Sequence, residues 1–415
     1  MTLLQLLAVL FSIASLSAWI NKRYIKLPSA IGVMTVSLLF SLGIIFLGNC
    51  GILDISFAHA IVGSIDFKAL VLHGMLAFLL FAGGLSVNLH DLASEKGPVA
   101  ILSTVGVLIS ALITGVTFWF GLQWLGMEIS FLSALLLGTI IAPTDAVAVL
   151  GIMRKVGAPK SLETKVVGES LFNDGVGVVV FLAVMSVAFG GSFSASNILI
   201  NLSVEMVGGA SLGFVLGWLA YQILKTIDDY VVEILLTLSL ASGGYALAEA
   251  LHISAPICAV VSGLIIGNQG RELAMSERTR EHLDTFWELI DELLNAILFV
   301  LVGLEILTLS IDPRYVIAGV VAIGAVLLGR FISVAIPISI LRKYRAFSPH
   351  AIKILSWAGL KGGISIALAL SLPDTSEHDL LLMCTYVVVL FSVLAQGSTL
   401  PHLLTYTQRC KTEER

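Results

Sequence analysis

The sequence predicts an all-α integral membrane protein of about thirteen transmembrane helices, built as two inverted repeats with interrupted crossing helices. Three observations lead there. The 415 residues are 57% hydrophobic and only 12% charged, with a mean hydropathy of +1.00, whereas a soluble domain carries about 25% charged residues. Apolar segments fill nearly the whole chain and leave no polar stretch long enough to fold separately, so residues 1–415 form one membrane domain. Two of these segments contain residues that break helices near mid-membrane, and they stand seven apart in the order of spans.

Crossing the hydrocarbon core takes roughly 20 residues per helix. Polar breaks mark spans near 2–20, 28–48, 69–90, 98–121, 131–152, 165–188, 197–224, 230–250, 254–268, 283–308, 314–341, 351–371 and 379–404. The first span resembles a signal peptide, but its positive charges (Lys22, Arg23, Lys26) follow the apolar run, so it is expected to be retained. With the N-terminus outside and the C-terminus cytoplasmic, nineteen of the 23 Lys and Arg fall in inward loops and only Lys68 and Arg314 outside. That asymmetry is the positive-inside pattern. Cys50, Cys258, Cys384 and Cys410 have no metal-ligand spacing, and no disulfide framework is expected.

A charge at the bilayer centre costs roughly 2.5–3.5 kcal/mol on insertion scales, so those that persist there carry function or are paired. Asp145, Glu169, Asp174, Arg330 and Lys361 lie well inside spans. Glu233, Glu249 and Glu305 lie nearer span ends and are expected to reach water, Glu205 being ambiguous. Glu281, Asp284, Glu288, Asp291 and Glu292 gather at the start of the tenth span, either concentrating cations or complementing a helix N-terminus, the latter preferred.

In the fifth span, Ala142-Pro143-Thr144-Asp145 sets a proline beside two polar residues, which favours an interrupted helix. Irregular backbone at that depth needs protein or a water-filled cavity beside it. The sixth span carries Glu169-Ser170-Leu171-Phe172-Asn173-Asp174, in which four-residue spacing sets Glu169 beside Asn173 and Ser170 beside Asp174. Carboxylates, an amide and hydroxyls suit a hard monovalent cation. In the twelfth span, three glycines around Lys361 weaken the helix a second time. Where two interrupted helices cross, Asp145 can balance the positive ends of the half-helices and Lys361 the negative ends.

These residues resemble the sodium/proton antiporters of the NhaP and NHE type. The matches are Ala142-Pro143-Thr144-Asp145-Ala146-Val147, Gly168-Glu169-Ser170-Leu171-Phe172-Asn173-Asp174-Gly175, Gly329-Arg330-Phe331, Gly359-Leu360-Lys361-Gly362-Gly363 and the run from Leu298 to Glu305, in order along essentially the whole chain. The resemblance implies a homodimer in a bacterial inner membrane, exchanging Na⁺, Li⁺ or K⁺ for protons by alternating access. It implies an extra N-terminal helix (1–27), a core bundle (98–188 and 314–404) and scaffold or dimerisation helices (28–90 and 197–308). Asp174 would bind cation or proton, with Thr144, Asp145 and Ser170 as further Na⁺ ligands; Asn173 would hold the site and Glu169 would pair with Arg330. No cofactor and no nucleic acid are implied.

Two departures from the family pattern stand out. Ala82 occupies a place before Gly83 and Gly84 where many relatives carry an acid, and Lys361 stands where arginine is usual. A single carboxylate, Asp174, that trades one proton for one cation makes the expected exchange electroneutral. Two other function classes fit the residues less well. A membrane enzyme lacks G-x-S-x-G and H-E-x-x-H motifs, and the lone Glu249 to His252 spacing has no second copy for a di-iron site. A cation channel would conduct without obligatory proton movement.

Overall fold

The computed structural model describes residues 3–50, 63, 66–190, 195–309, 312–345, 347–348, 350–373 and 375–413. Of the basic residues that set the expected orientation, Arg415 lies outside them. Among the described residues all regular structure is helical. In chain order the main helices are α1 (Leu3–Ile20), α2 (Ser29–Asn49), α3 (Ala69–Ser86), α4 (Lys96–Trp124), α5 (Phe131–Ile141), α6 (Val147–Val156) and α7 (Lys160–Ala188). There follow α8 (Ala195–Leu224), α9 (Tyr230–Ala250), α10 (Ala255–Ile265), α11 (Glu277–Glu305), α12 (Pro313–Leu341), α13 (Ala351–Trp357), α14 (Gly363–Leu370) and α15 (His378–Thr407).

Nine helices among the described residues are long and apolar enough to cross a membrane: α1–α4, α7–α9, α12 and α15. The other four expected spans are also helical, and each falls short for a physical reason. Residues 131–152 and 351–371 are split into α5 with α6 and α13 with α14, as the proline and the glycines predict. The α10 helix has only 11 residues before it passes into a π turn. The α11 helix is long enough but its first half is too charged; it starts at Glu277, before the expected residue 283, where the Ser276 hydroxyl caps it by accepting from Thr279 N–H at 3.4 Å.

With lipid outside, burial of apolar surface from water cannot drive helix association, so backbone approach and van der Waals packing matter more. Gly115 of α4 faces α5 so closely that a Cβ there would stand 2.8 Å from the Leu135 Cα. Gly84 of α3 and Gly263 of α10 make similar backbone approaches across the α3–α10 contact. One buried cluster joins α4, α5, α12 and α15 through Phe118, Leu137, Ala322 and Leu381. Another joins α3, α9, α10 and α11 through Phe81, Ala241, Cys258 and Trp287. A third brings α1, α2 and the apolar end of α11 against α14 and α15, through Leu10, Met34, Leu298, Ile366 and Tyr386.

Two of the three acids expected to reach water do not. Glu233 is 1% exposed, with no hydrogen bond to either carboxylate oxygen among the described residues. Glu305 is 7% exposed and accepts from the Thr308 hydroxyl at 2.8 Å. Glu249 is exposed and meets His73 at 2.7 Å. Span-end position is a poor guide here because neighbouring helices cover the ends of α9 and α11.

Candidate ion-binding site

The two helix breaks meet. Pro143 follows the end of α5, and the chain runs non-helically to Val147. Between α13 and α14 the second break holds Leu360, Lys361 and Gly362. Asp145 N–H donates to the Leu360 carbonyl at 2.8 Å. The Asp145 carboxylate lies against Gly362, the cap residue of α14, where a Cβ would stand 2.8 Å from Oδ2. Only glycine allows that approach, which sets a negative charge at the positive end of α14. Lys361 does the converse at the end of α5. Buried to 2% exposure, it donates from Nζ to the Ala142 and Pro143 carbonyls, both at 3.2 Å. Its own N–H donates to the Ser392 hydroxyl of α15 at 2.9 Å.

The α7 helix fastens the first break from the other side. Asn173 Nδ2 donates to the Thr144 hydroxyl at 2.7 Å, and Thr144 N–H donates to Asn173 Oδ1 at 3.3 Å. The Ser170 hydroxyl donates to the Thr144 carbonyl and accepts from Ala146 N–H, the latter at 3.1 Å. Ser170 and Asn173 are one helical turn's neighbours on α7, so a single face holds the non-helical stretch from Thr144 to Ala146. Asn173→Ala is therefore expected to lower stability by about 1–3 kcal/mol, because a buried N–H and a hydroxyl lose their partner together. A chemical-denaturation shift within error of zero would show that the amide does not hold the break.

Glu169 points to another side of α7, where it accepts from both terminal nitrogens of Arg330, the Nη2 contact at 3.1 Å. The pair is buried, at 2% and 8% exposure. Arg330 Nη2 also donates to the Leu355 carbonyl of α13 at 3.0 Å, so α7, α12 and α13 meet at one guanidinium.

Asp174 is the acid left over. It makes no hydrogen bond or ion pair among the described residues and lines a cavity of about 550 Å³ with Thr144, Asp145 and Ser170. Ala82 and Gly83 line the same cavity and bring no carboxylate to it. Four acids of α11, Asp284, Glu288, Asp291 and Glu292, also line it. Against the preferred expectation of a helix N-terminus, the members of this cluster apart from Glu281 line the cavity that holds Asp174. Asp284 there pairs with Arg271. The expected site residues fall into three groups: Thr144, Asp145, Ser170 and Asp174 line the cavity, Asn173 and Lys361 bond the first break at Thr144 and at the Ala142 and Pro143 carbonyls, and Glu169 pairs with Arg330 away from the cavity. Ser392 and the α11 carboxylates belong to the arrangement too. Nothing local distinguishes Ser392 from the other apolar-span serines, whereas the spacing of Asp284, Glu288 and Asp291 does put them on one helical face.

A family profile described as the transmembrane sodium/hydrogen exchanger matches residues 11–406. The chain belongs to the sodium/hydrogen exchanger family. It is 45% identical over 409 residues to the Na(+)/H(+) antiporter NhaP of Pseudomonas aeruginosa, covering 97% of this chain and 96% of that protein. It is 33% identical over 411 residues to the Na(+)/H(+) antiporter NhaH of Halobacillus dabanensis, covering 97% and 96%. The fold is similar to that of the sodium proton antiporter MjNhaP1 from Methanocaldococcus jannaschii, with a TM-score of 0.75 at 21% identity, over 98% of this chain and 99% of that one. Membership of this family makes the chain a membrane transporter rather than an enzyme.

Proposed function

We propose that this protein exchanges Na⁺ for H⁺ across a bacterial inner membrane by alternating access to one site, at which Asp174 holds either ion. The observation that carries this reading is the contrast among four charged side chains at the crossing. Lys361 is spent on the carbonyl end of α5, Asp145 faces the start of α14, and Glu169 is taken by Arg330. Asp174 alone is left uncommitted on an acid-lined cavity. A carboxylate there can take a cation or a proton but not both, so competition couples the two fluxes. Asp174, Asp145, Thr144 and Ser170 offer carboxylate, hydroxyl and carbonyl oxygens, the ligand type a hard cation prefers. Crossing the apolar barrier with the site charged and empty is costly, which suppresses uncoupled cycles.

The same reading assigns thirteen crossings, an outside N-terminus and a cytoplasmic C-terminus, supported by the distribution of basic residues. Helices of 98–188 and 314–404 would move as the core bundle, supported by the shared packing of α4, α5, α12 and α15. The helices of 28–90 and 197–308 would form the scaffold and dimer contact, with 1–27 as an added helix. The chain would act as a homodimer, and Li⁺ and K⁺ would compete with Na⁺.

The test is purified protein in liposomes carrying an internal pH dye, challenged with Na⁺, Li⁺ and K⁺ in turn. Each transported cation is expected to move protons the opposite way, whereas cation flux without proton movement would mean a channel. Because one carboxylate trades one proton for one cation, exchange is expected to be electroneutral. A membrane potential imposed under conditions where K⁺ transport by the protein has been excluded should leave the final Na⁺ distribution unchanged. A distribution that follows voltage would add a second proton carrier, Lys361 or Asp145.

A further inference from the structure

A second cavity, of about 650 Å³, lies away from the ion site between α12, α13 and α15. Leu327 and Phe331 of α12, Trp357 of α13 and Leu403 of α15 form its apolar wall, and Lys353 and His402 bring positive or hydrogen-bonding ends to it. We propose that this groove binds an anionic phospholipid, with an acyl chain along the apolar wall and the phosphate at Lys353 and His402.

Three observations carry the proposal. The groove opens on the lipid side: Phe331 of its wall is 50% exposed, on a helix apolar enough to cross the membrane. An apolar recess inside the hydrocarbon layer is a poor place for water, because water there finds few polar partners. An acyl chain is the apolar molecule at hand.

Second, neither Lys353 nor His402 makes an ion pair among the described residues, although Lys165, Arg271, Arg330 and Arg345 each face a carboxylate. Lys353 is exposed, on the first turn of α13, next to a loop that also carries Arg342 and Lys343. Its long stem can follow the groove while the ammonium reaches headgroup depth. Third, Trp357 and Tyr406 line the same groove, and both are side chains suited to the boundary between hydrocarbon and headgroup. Trp357 Nε1–H donates to the Thr399 hydroxyl at 3.0 Å, tying α13 to α15 beside the recess. A net-negative lipid is favoured over a zwitterionic one because the latter brings its own cation to an already positive rim.

The groove also touches the ion site through one short helix. In α13, Leu355 accepts from Arg330, Trp357 lines the groove, and the break that carries Lys361 follows at once. A lipid seated here braces the half-helix from the face opposite the Glu169–Arg330 pair. Occupancy is therefore expected to raise the melting temperature of the whole protein.

The test uses the full chain in detergent, offered equal amounts of phosphatidylglycerol and phosphatidylcholine with identical acyl chains. Native mass spectrometry of the wild type should show phosphatidylglycerol retained several-fold over phosphatidylcholine. Phosphatidylglycerol with a photoreactive acyl chain should label peptides containing Phe331, Trp357 or Leu403. The double variant Lys353→Ala/His402→Ala should lose the preference, while Lys225→Ala, a cation stacked on Tyr221 elsewhere, should keep it. Equal retention of the two lipids by the wild type, or labelling confined to other helices, would overturn the proposal. So would an undiminished preference in the double variant. Stabilisation by inorganic phosphate alone to the same degree as by the lipid would also overturn it, since the rim would then be a free-anion site. The wild-type labelling decides the matter even if the double variant does not fold.

Discussion

Asp174→Asn is expected to fold like the wild type and to exchange Na⁺ for H⁺ no faster than protein-free liposomes. The amide keeps the shape of the side chain, and Asp174 makes no hydrogen bond or ion pair among the described residues that would be lost. What disappears is the ability to carry a proton on one half of the cycle and a negative charge for the cation on the other. A well-folded Asp174→Asn protein with normal coupled exchange would remove Asp174 from the ion path. Asp145→Asn separates the roles of the two acids. It should lower stability as well as transport, because its carboxylate stands at the start of α14 and the amide removes the negative charge that complements that helix end.

The other large effect concerns stability. Glu169→Gln and Arg330→Leu are each expected to cost about 3–5 kcal/mol, since either leaves an uncompensated charge in a buried site. Together they should cost well below the sum, with a coupling on the order of 1–3 kcal/mol. Arg330→Leu should be the worse single change, because the guanidinium also satisfies the Leu355 carbonyl. Denaturation of the four proteins in one detergent completes the cycle, and simple additivity would contradict a direct pair.

Much of this arrangement is legible in the chain because membranes make charge and helix breakage expensive. Asp145, Glu169, Asp174, Arg330 and Lys361 stand out in apolar runs, and Pro143 and the glycines near Lys361 mark the two breaks. Helical spacing shows that Glu169 and Asp174 belong to one segment but not that they serve different neighbours. That division depends on which helix packs on each side of α7, a long-range contact with no local signature. The α11 acids illustrate the same limit. Their face is visible from their spacing, yet only tertiary packing decides that it meets the cavity rather than bulk water. Glu233 and Glu305 depart from expectation for a related reason: distance along a helix is not depth, and neighbouring helices bury both.

In the proposed cycle one cation and one proton compete for one carboxylate, and proton release on Na⁺ binding measures that directly. Purified protein in weakly buffered detergent solution, titrated with Na⁺ while a pH indicator or calorimetry in buffers of different ionisation enthalpy counts protons, should give about one proton released per Na⁺ bound. The measurement belongs at a pH low enough for the empty site to hold its proton. Asp174→Asn should release none. Na⁺ binding to the wild type without proton release at any pH, or undiminished release from Asp174→Asn, would contradict the assignment of exchange to Asp174.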